Sequence, residues 1–88
     1  MKETEKAITY FIEVYNRDND LGAVSKDTNT SDIELKHWLH ITTDDSKSMS
    51  FKSIADARKV VHVLINTAND IALKYKVNHH YRFEIRRR

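Results

Sequence analysis

The apolar residues of this chain follow two rhythms, one of period two and one near 3.6, and the change from one to the other falls close to Ser53. From Ala7 to Tyr15 the run Ala-Ile-Thr-Tyr-Phe-Ile-Glu-Val-Tyr is dense in β-branched and aromatic residues, which predicts a strand. Its alternation sets Ile8, Tyr10, Ile12 and Val14 on one face and Thr9, Phe11, Glu13 and Tyr15 on the other. Ile8, Phe11, Ile12 and Tyr15 also fit the i, i+3, i+4, i+7 spacing, so a helix is the alternative here. Ile33 to Thr43 alternates cleanly, with Ile33, Leu35, His37, Leu39 and Ile41 against Glu34, Lys36, Trp38, His40 and Thr42, and reads as a second strand. The last period-two run is Tyr81 to Arg86, with Tyr81, Phe83 and Ile85 on one face and Arg82, Glu84 and Arg86 on the other, together with His80 just ahead of it.

Between Ser53 and Lys76 the rhythm lengthens. Ile54, Ala57, Val61, Leu64, Ile65, Ala68, Ile71, Ala72 and Tyr75 form one stripe at helical spacing, opened by Ser53 with Asp56 three residues on, a variant of the capping box. A helix over Ser53–Lys76 is predicted, with Ile54, Val61, Leu64, Ile65, Ala68 and Ile71 buried. Lys74 and Lys76 fall in its last turn, where cations suit the helix dipole.

The connections are polar. Residues 1–6 read as a solvated lead-in, residues 16–31 as a long polar loop interrupted by a short strand around Leu21–Ser25, and Asp44 to Lys47 as a turn followed by a brief hairpin partner at Ser48–Phe51. Asn78 to His80 is a turn and residues 87–88 a basic tail. The order β-β-(β)-α-β predicts an α+β fold, a small three- to four-stranded, mainly antiparallel sheet with one long helix across one face. At 88 residues the chain reads as a single domain over 1–88.

Composition narrows the function classes. There is no cysteine and no proline, and Gly22 is the one glycine. Disulfides and thiolate zinc sites are thereby excluded, and a reducing, cytoplasmic setting is expected. No apolar run reaches the 18 or so residues of a membrane span, so no membrane partner is expected. A single glycine cannot build a phosphate cradle, and no Ser or Cys nucleophile sits in an elbow context, so no enzymatic activity and no cofactor are expected. His37 and His40 face opposite sides of a strand, which argues against a shared metal ion.

Charge changes the picture more. Residues 1–45 carry ten acids and five bases, and residues 46–88 three acids and ten bases, so a net −5 half precedes a net +7 half within an overall +2. A helix on one sheet face leaves the other uncovered, and that face would present Phe11, Tyr15, Trp38, His40, His80, Arg82 and Arg86. Aromatic residues and arginines clustered on an open surface are the usual anchors of a protein contact, and Asp44 and Asp45 in the turn add an acidic pole. The expected function is a small non-catalytic protein that occupies the surface of a protein partner. An inhibitor or adaptor of a nucleic-acid-handling enzyme would fit both charge poles, in the manner of small phage and mobile-element proteins that block host defence nucleases, CRISPR inhibitors among them. Direct nucleic-acid binding is the alternative, since rings beside cations suit stacked bases and phosphates. Phe51-Lys52-Ser53-Ile54-Ala55-Asp56-Ala57-Arg58 is also similar in outline to the strand-to-helix passage of small DNA-binding domains that present a three-stranded sheet. Against this, Glu13, Glu34 and Glu84 share the face with the cations. A homodimer that hides the aromatic face, or a purely homo-oligomeric structural role, is a further expectation.

Overall fold

The computed structural model describes residues 8–28 and 39–88. Alternation builds the first hairpin: β1 (Tyr10–Asn16) and β2 (Asn19–Val24) pair antiparallel down to Asn16↔Asn19, so Arg17 and Asp18 alone make the turn. Arg17 takes the left-handed conformation, φ 58°, that so short a reversal demands. The strand reading of Ala7–Tyr15 holds, with bounds shifted to Tyr10–Asn16. The long loop of residues 16–31 does not survive at that length, because β2 begins two residues earlier than the short strand read there and joins β1 through a two-residue turn.

The two-residue β3 (Ile41–Thr42) pairs with β2, Ala23 opposite Thr42 and Val24 opposite Ile41. Of the strand read over Ile33–Thr43, residues 33–38, Trp38 among them, lie outside the described residues, and Leu39, His40 and Thr43 flank β3 without belonging to it. After a 3₁₀ turn at Asp45–Lys47 the chain does not return along β3. Ser48 bridges to Ser25, and Phe51 exchanges two 2.9 Å backbone hydrogen bonds with Tyr10. The helix α1 (Ile54–Tyr75) follows, then β4 (Tyr81–Arg87), which pairs antiparallel with β1 along its whole length. The sheet order is β3-β2-β1-β4, an α+β arrangement.

The helix ends where its caps place it. Ser53 is extended and its Oγ accepts from the Asp56 N–H at 3.1 Å, while Lys76 turns left-handed at φ 56° and closes on the Ala72 and Leu73 carbonyls. The core lies between the helix and one sheet face: Ile12 and Val14 from β1, Val24 from β2, Phe83 from β4, and Leu64, Ala68 and Ile71 from α1. Three expectations about the stripe are corrected. Ile54 is 42% and Ile65 39% exposed, Val61 is only partly buried, and Thr67 is buried instead, its hydroxyl bonded to the Val63 carbonyl at 2.8 Å. The helix contacts β1 and β4, so only a narrow arc centred near Leu64 meets the sheet, and Ile54 and Ile65 fall on a flank beside it.

Gly22 sits where only glycine fits. Its φ is +117°, and a Cβ there would lie 2.7 Å from the Thr42 carbonyl oxygen. The adjoining register slips, with Val14 opposite Gly22 but Tyr15 opposite Asp20, so Leu21 is the extra residue of a bulge.

Candidate interaction face

The face of the sheet away from α1 is built from alternate residues of β1 and β4. Phe11 lies opposite Arg86, Glu13 opposite Glu84 and Tyr15 opposite Arg82, and because the strands are antiparallel each pair shares one side of the sheet. The pairs lock together. The Arg82 guanidinium stacks 4.3 Å from the Tyr15 ring centre, and Arg86 donates to the Tyr15 hydroxyl at 2.7 Å. Glu84 receives Arg82 at 2.6 Å on one oxygen and Arg86 at 2.8 Å on the other. The hydrogen bond to Tyr15, with Glu84 close by, holds Arg86 more firmly protonated than an ordinary arginine.

The row continues past β4. Arg88 lies 4.7 Å from the Phe11 ring centre, donates to Ser50 Oγ at 3.1 Å and to Ser48 Oγ, and its backbone N–H reaches the Thr9 carbonyl. The basic tail read at residues 87–88 is therefore corrected: Arg87 is the last residue of β4, and Arg88 is fastened to the strap formed by residues 48–51.

Beside this basic ridge lies an acidic notch, an open hollow of about 400 Å³ floored by Phe11 and Ala23 and rimmed by Glu13, Asp20, Thr42 and Asp45. The bulge is what brings Asp20 here, since the register slip puts it opposite Tyr15, on the face that holds Glu13. Glu13 is pushed up to about 7 from an ordinary 4.5, first by burial and then by its hydrogen bond to Asp20 and the charges of Asp20 and Asp45; Arg86 pulls the other way. Asp20 moves in the opposite direction, lowered by that same hydrogen bond and by the Gly22 N–H at 2.9 Å. The contact between the two carboxyls thus favours the protonated form of Glu13 and the charged form of Asp20.

Of the residues singled out from sequence, Phe11, Tyr15, Arg82, Arg86 and Asp45 come together here. Asp44 does not join them. It caps the 3₁₀ turn, its carboxylate accepting from the Ser46 N–H at 3.0 Å and hydroxyl at 2.8 Å, bonds that lower its pKa. His40 is exposed just before β3, its backbone tied to Thr28, and His80 is exposed just before β4, its carbonyl accepting from the Arg17 N–H. Trp38 is outside the described residues. Asp20 and Arg88 are the members that sequence reasoning assigned elsewhere. Arg88 could have been found by carrying the Arg82, Glu84, Arg86 alternation one step further, whereas nothing local marks Leu21 as a bulge.

Among the described residues no group of three His, Cys, Asp or Glu side chains is placed to hold a metal ion. No helix of the described residues is long and apolar enough to cross a membrane. Family models, curated proteins and solved structures give no match to this chain.

Proposed function

We propose that the open sheet face is a protein-binding surface and that the chain acts by occupying the surface of a partner, without catalysis. The observation that carries this reading is the interleaving of signs around two aromatic rings: Arg82, Arg86 and Arg88 alternate with Glu84 and adjoin the Glu13–Asp20–Asp45 notch, all within reach of Phe11 and Tyr15. Rings covered by guanidiniums are rigid amphipathic anchors of the kind that dominate protein contacts. A partner that offers a lysine or arginine to the notch and carboxylates to the ridge would match both. A nucleic-acid-handling enzyme inhibited or bridged by the chain offers such a surface, and a phage or mobile-element anti-defence role, of which CRISPR inhibition is one form, is the specific version of this reading.

Direct nucleic-acid binding rests on the same arginine row beside Phe11 and Tyr15. It is weaker, because each of those guanidiniums already bonds to a protein oxygen and a phosphate backbone would pass over Glu84 and the notch. The test compares the full chain with a double variant, Tyr15→Ala with Arg82→Ala, checked first for an unchanged fold by circular dichroism. The double variant is expected to lose partner affinity by about 2 kcal/mol or more, with neither protein retained on DNA or RNA at moderate salt. Retention on nucleic acid that falls steeply with salt and is lost in the variant would replace the protein reading with the nucleic-acid one.

A further inference from the structure

β4 is the outermost strand of the sheet among the described residues; the Tyr81 N–H is taken up by His79 Nδ1 at 3.3 Å, and the strand beyond it forms a long edge. The direction of its backbone groups follows from three bonds. Tyr10 directs both its N–H and its carbonyl toward Phe51, away from β4, while the Arg88 N–H reaches Thr9 and the His80 carbonyl receives Arg17. Even-numbered residues of this strand therefore bond toward β1, and odd-numbered Phe83 and Ile85 turn their N–H and carbonyl groups outward. Edge strands are usually protected by charged side chains, bulges or a covering element, and charge of a single sign repels a second copy of the same edge. Here the charges alternate, Arg82, Glu84, Arg86, and alternation of that kind is complementary to itself when the strand is reversed.

We propose that β4 pairs antiparallel with β4 of a second copy about a two-fold axis at Phe83, joining two four-stranded sheets into one of eight. In that register Phe83 faces its own equivalent as a hydrogen-bonded pair, Arg82 of each copy lies opposite Glu84 of the other, and Tyr81 lies opposite Ile85. The helix supplies an independent observation. α1 runs antiparallel to β4 above it, with Ile54 and Arg58 beside Ile85 and Arg87 and with Ala72 beside Tyr81. A right-handed helix so placed carries the Ile54, Val61 and Ile65 flank over the outer edge of β4. Strands about 4.8 Å apart would bring the two helices to roughly the 8–10 Å at which helices pack. The exposed Ile65, left unexplained by the monomer core, would then meet its own equivalent near the axis, and Ile54, beside Ile85, would lie toward Ala72 and Tyr81 of the second copy. The interface shares Arg82 and Glu84 with the rim of the open sheet face, whereas Ile65 on the helix flank belongs to it alone, so Ile65→Lys tests the dimer separately from the function proposed above.

Sedimentation equilibrium and residue-resolved amide exchange on the full chain test this directly. The expected results are a dimer at micromolar concentration, a Phe83 amide whose protection rises with protein concentration, and a dissociation constant raised about tenfold or more by Ile65→Lys with the fold kept. Arg82→Glu should also weaken the dimer, and the exchange variant Arg82→Glu with Glu84→Arg should restore it, because that swap preserves the cross-strand pairs. A monomer at several hundred micromolar overturns the proposal. So does a dimer in which the Phe83 amide exchanges freely and Ile65→Lys has no effect, since the copies would then meet through another face.

Discussion

The two faces of β1 are made by neighbouring residues of one strand and are held by different physics. Ile12 and Val14 point to the helix and are fully buried, whereas Phe11, Glu13 and Tyr15 point the other way and stay half-buried among charges. On the helix side each large side chain removed from water contributes about 1.5–3 kcal/mol, and that face carries the fold. On the open side the pairs of Glu84 with Arg82 and Arg86 are solvent-exposed, and such pairs contribute about 0–1 kcal/mol each. Both arginines, the Tyr15 hydroxyl and both Glu84 oxygens are nevertheless held in one geometry. The open face is therefore ordered by contacts that add little to stability, whereas the covered face is ordered by the burial that supplies most of it.

That contrast can be broken from either side. The largest effect belongs to the covered face: Leu64→Ala, at a fully buried position, should cost roughly 2–5 kcal/mol in denaturant unfolding. A loss below about 1 kcal/mol would mean the helix is not what holds this face. Next comes Gly22→Ala, expected to cost about 1–3 kcal/mol because it strains a backbone that side chains avoid and drives a Cβ into the Thr42 carbonyl. The same change should disturb the bulge and with it the Asp20–Glu13 contact, so the Glu13 carboxyl, followed by NMR, should titrate lower than in the parent.

The smallest effect isolates the open face. Glu13 keeps its proton in the folded protein up to about pH 7 but loses it near 4.5 in the unfolded chain, so between those values the folded state binds more protons. Stability should therefore fall as pH rises through that window, by less than about 1 kcal/mol for a group in partial contact with solvent. Asp20, with its folded pKa below the ordinary 3.8, contributes in the opposite sense and only as the solution becomes more acidic than that. Thermal melts of the parent and of Glu13→Gln across pH 4.5–8 check the sign: the decline should be present in the first and nearly absent in the second. Equal slopes would show that the notch does not hold the Glu13 carboxyl protonated.

Much of the covered face was legible in the chain because it depends on local repetition. The alternation of Tyr10, Ile12 and Val14, the opposite alternation of Phe11, Glu13 and Tyr15, and the Ser53 cap each depend on residues a few positions apart. The open face was legible only in its rows. Phe11, Tyr15, Arg82 and Arg86 could be assigned to one side from period two, but their pairing needed the β1–β4 register, set by contacts some seventy residues apart.

Local repetition along the chain decided which residues could be strand or helix and which side of each element was apolar, because those properties recur over two to four residues and follow from backbone geometry. It did not determine that Ile54 and Ile65 would stand outside the core. Their spacing matches the buried stripe, and only the helix's position over β1 and β4 excludes them. Nor did it determine that Asp20 would meet Glu13 or that Arg88 would cover Phe11. A bulge at Leu21 and a strap at Ser48–Phe51 made those contacts, and both arise where strands distant in sequence must fit one another in space.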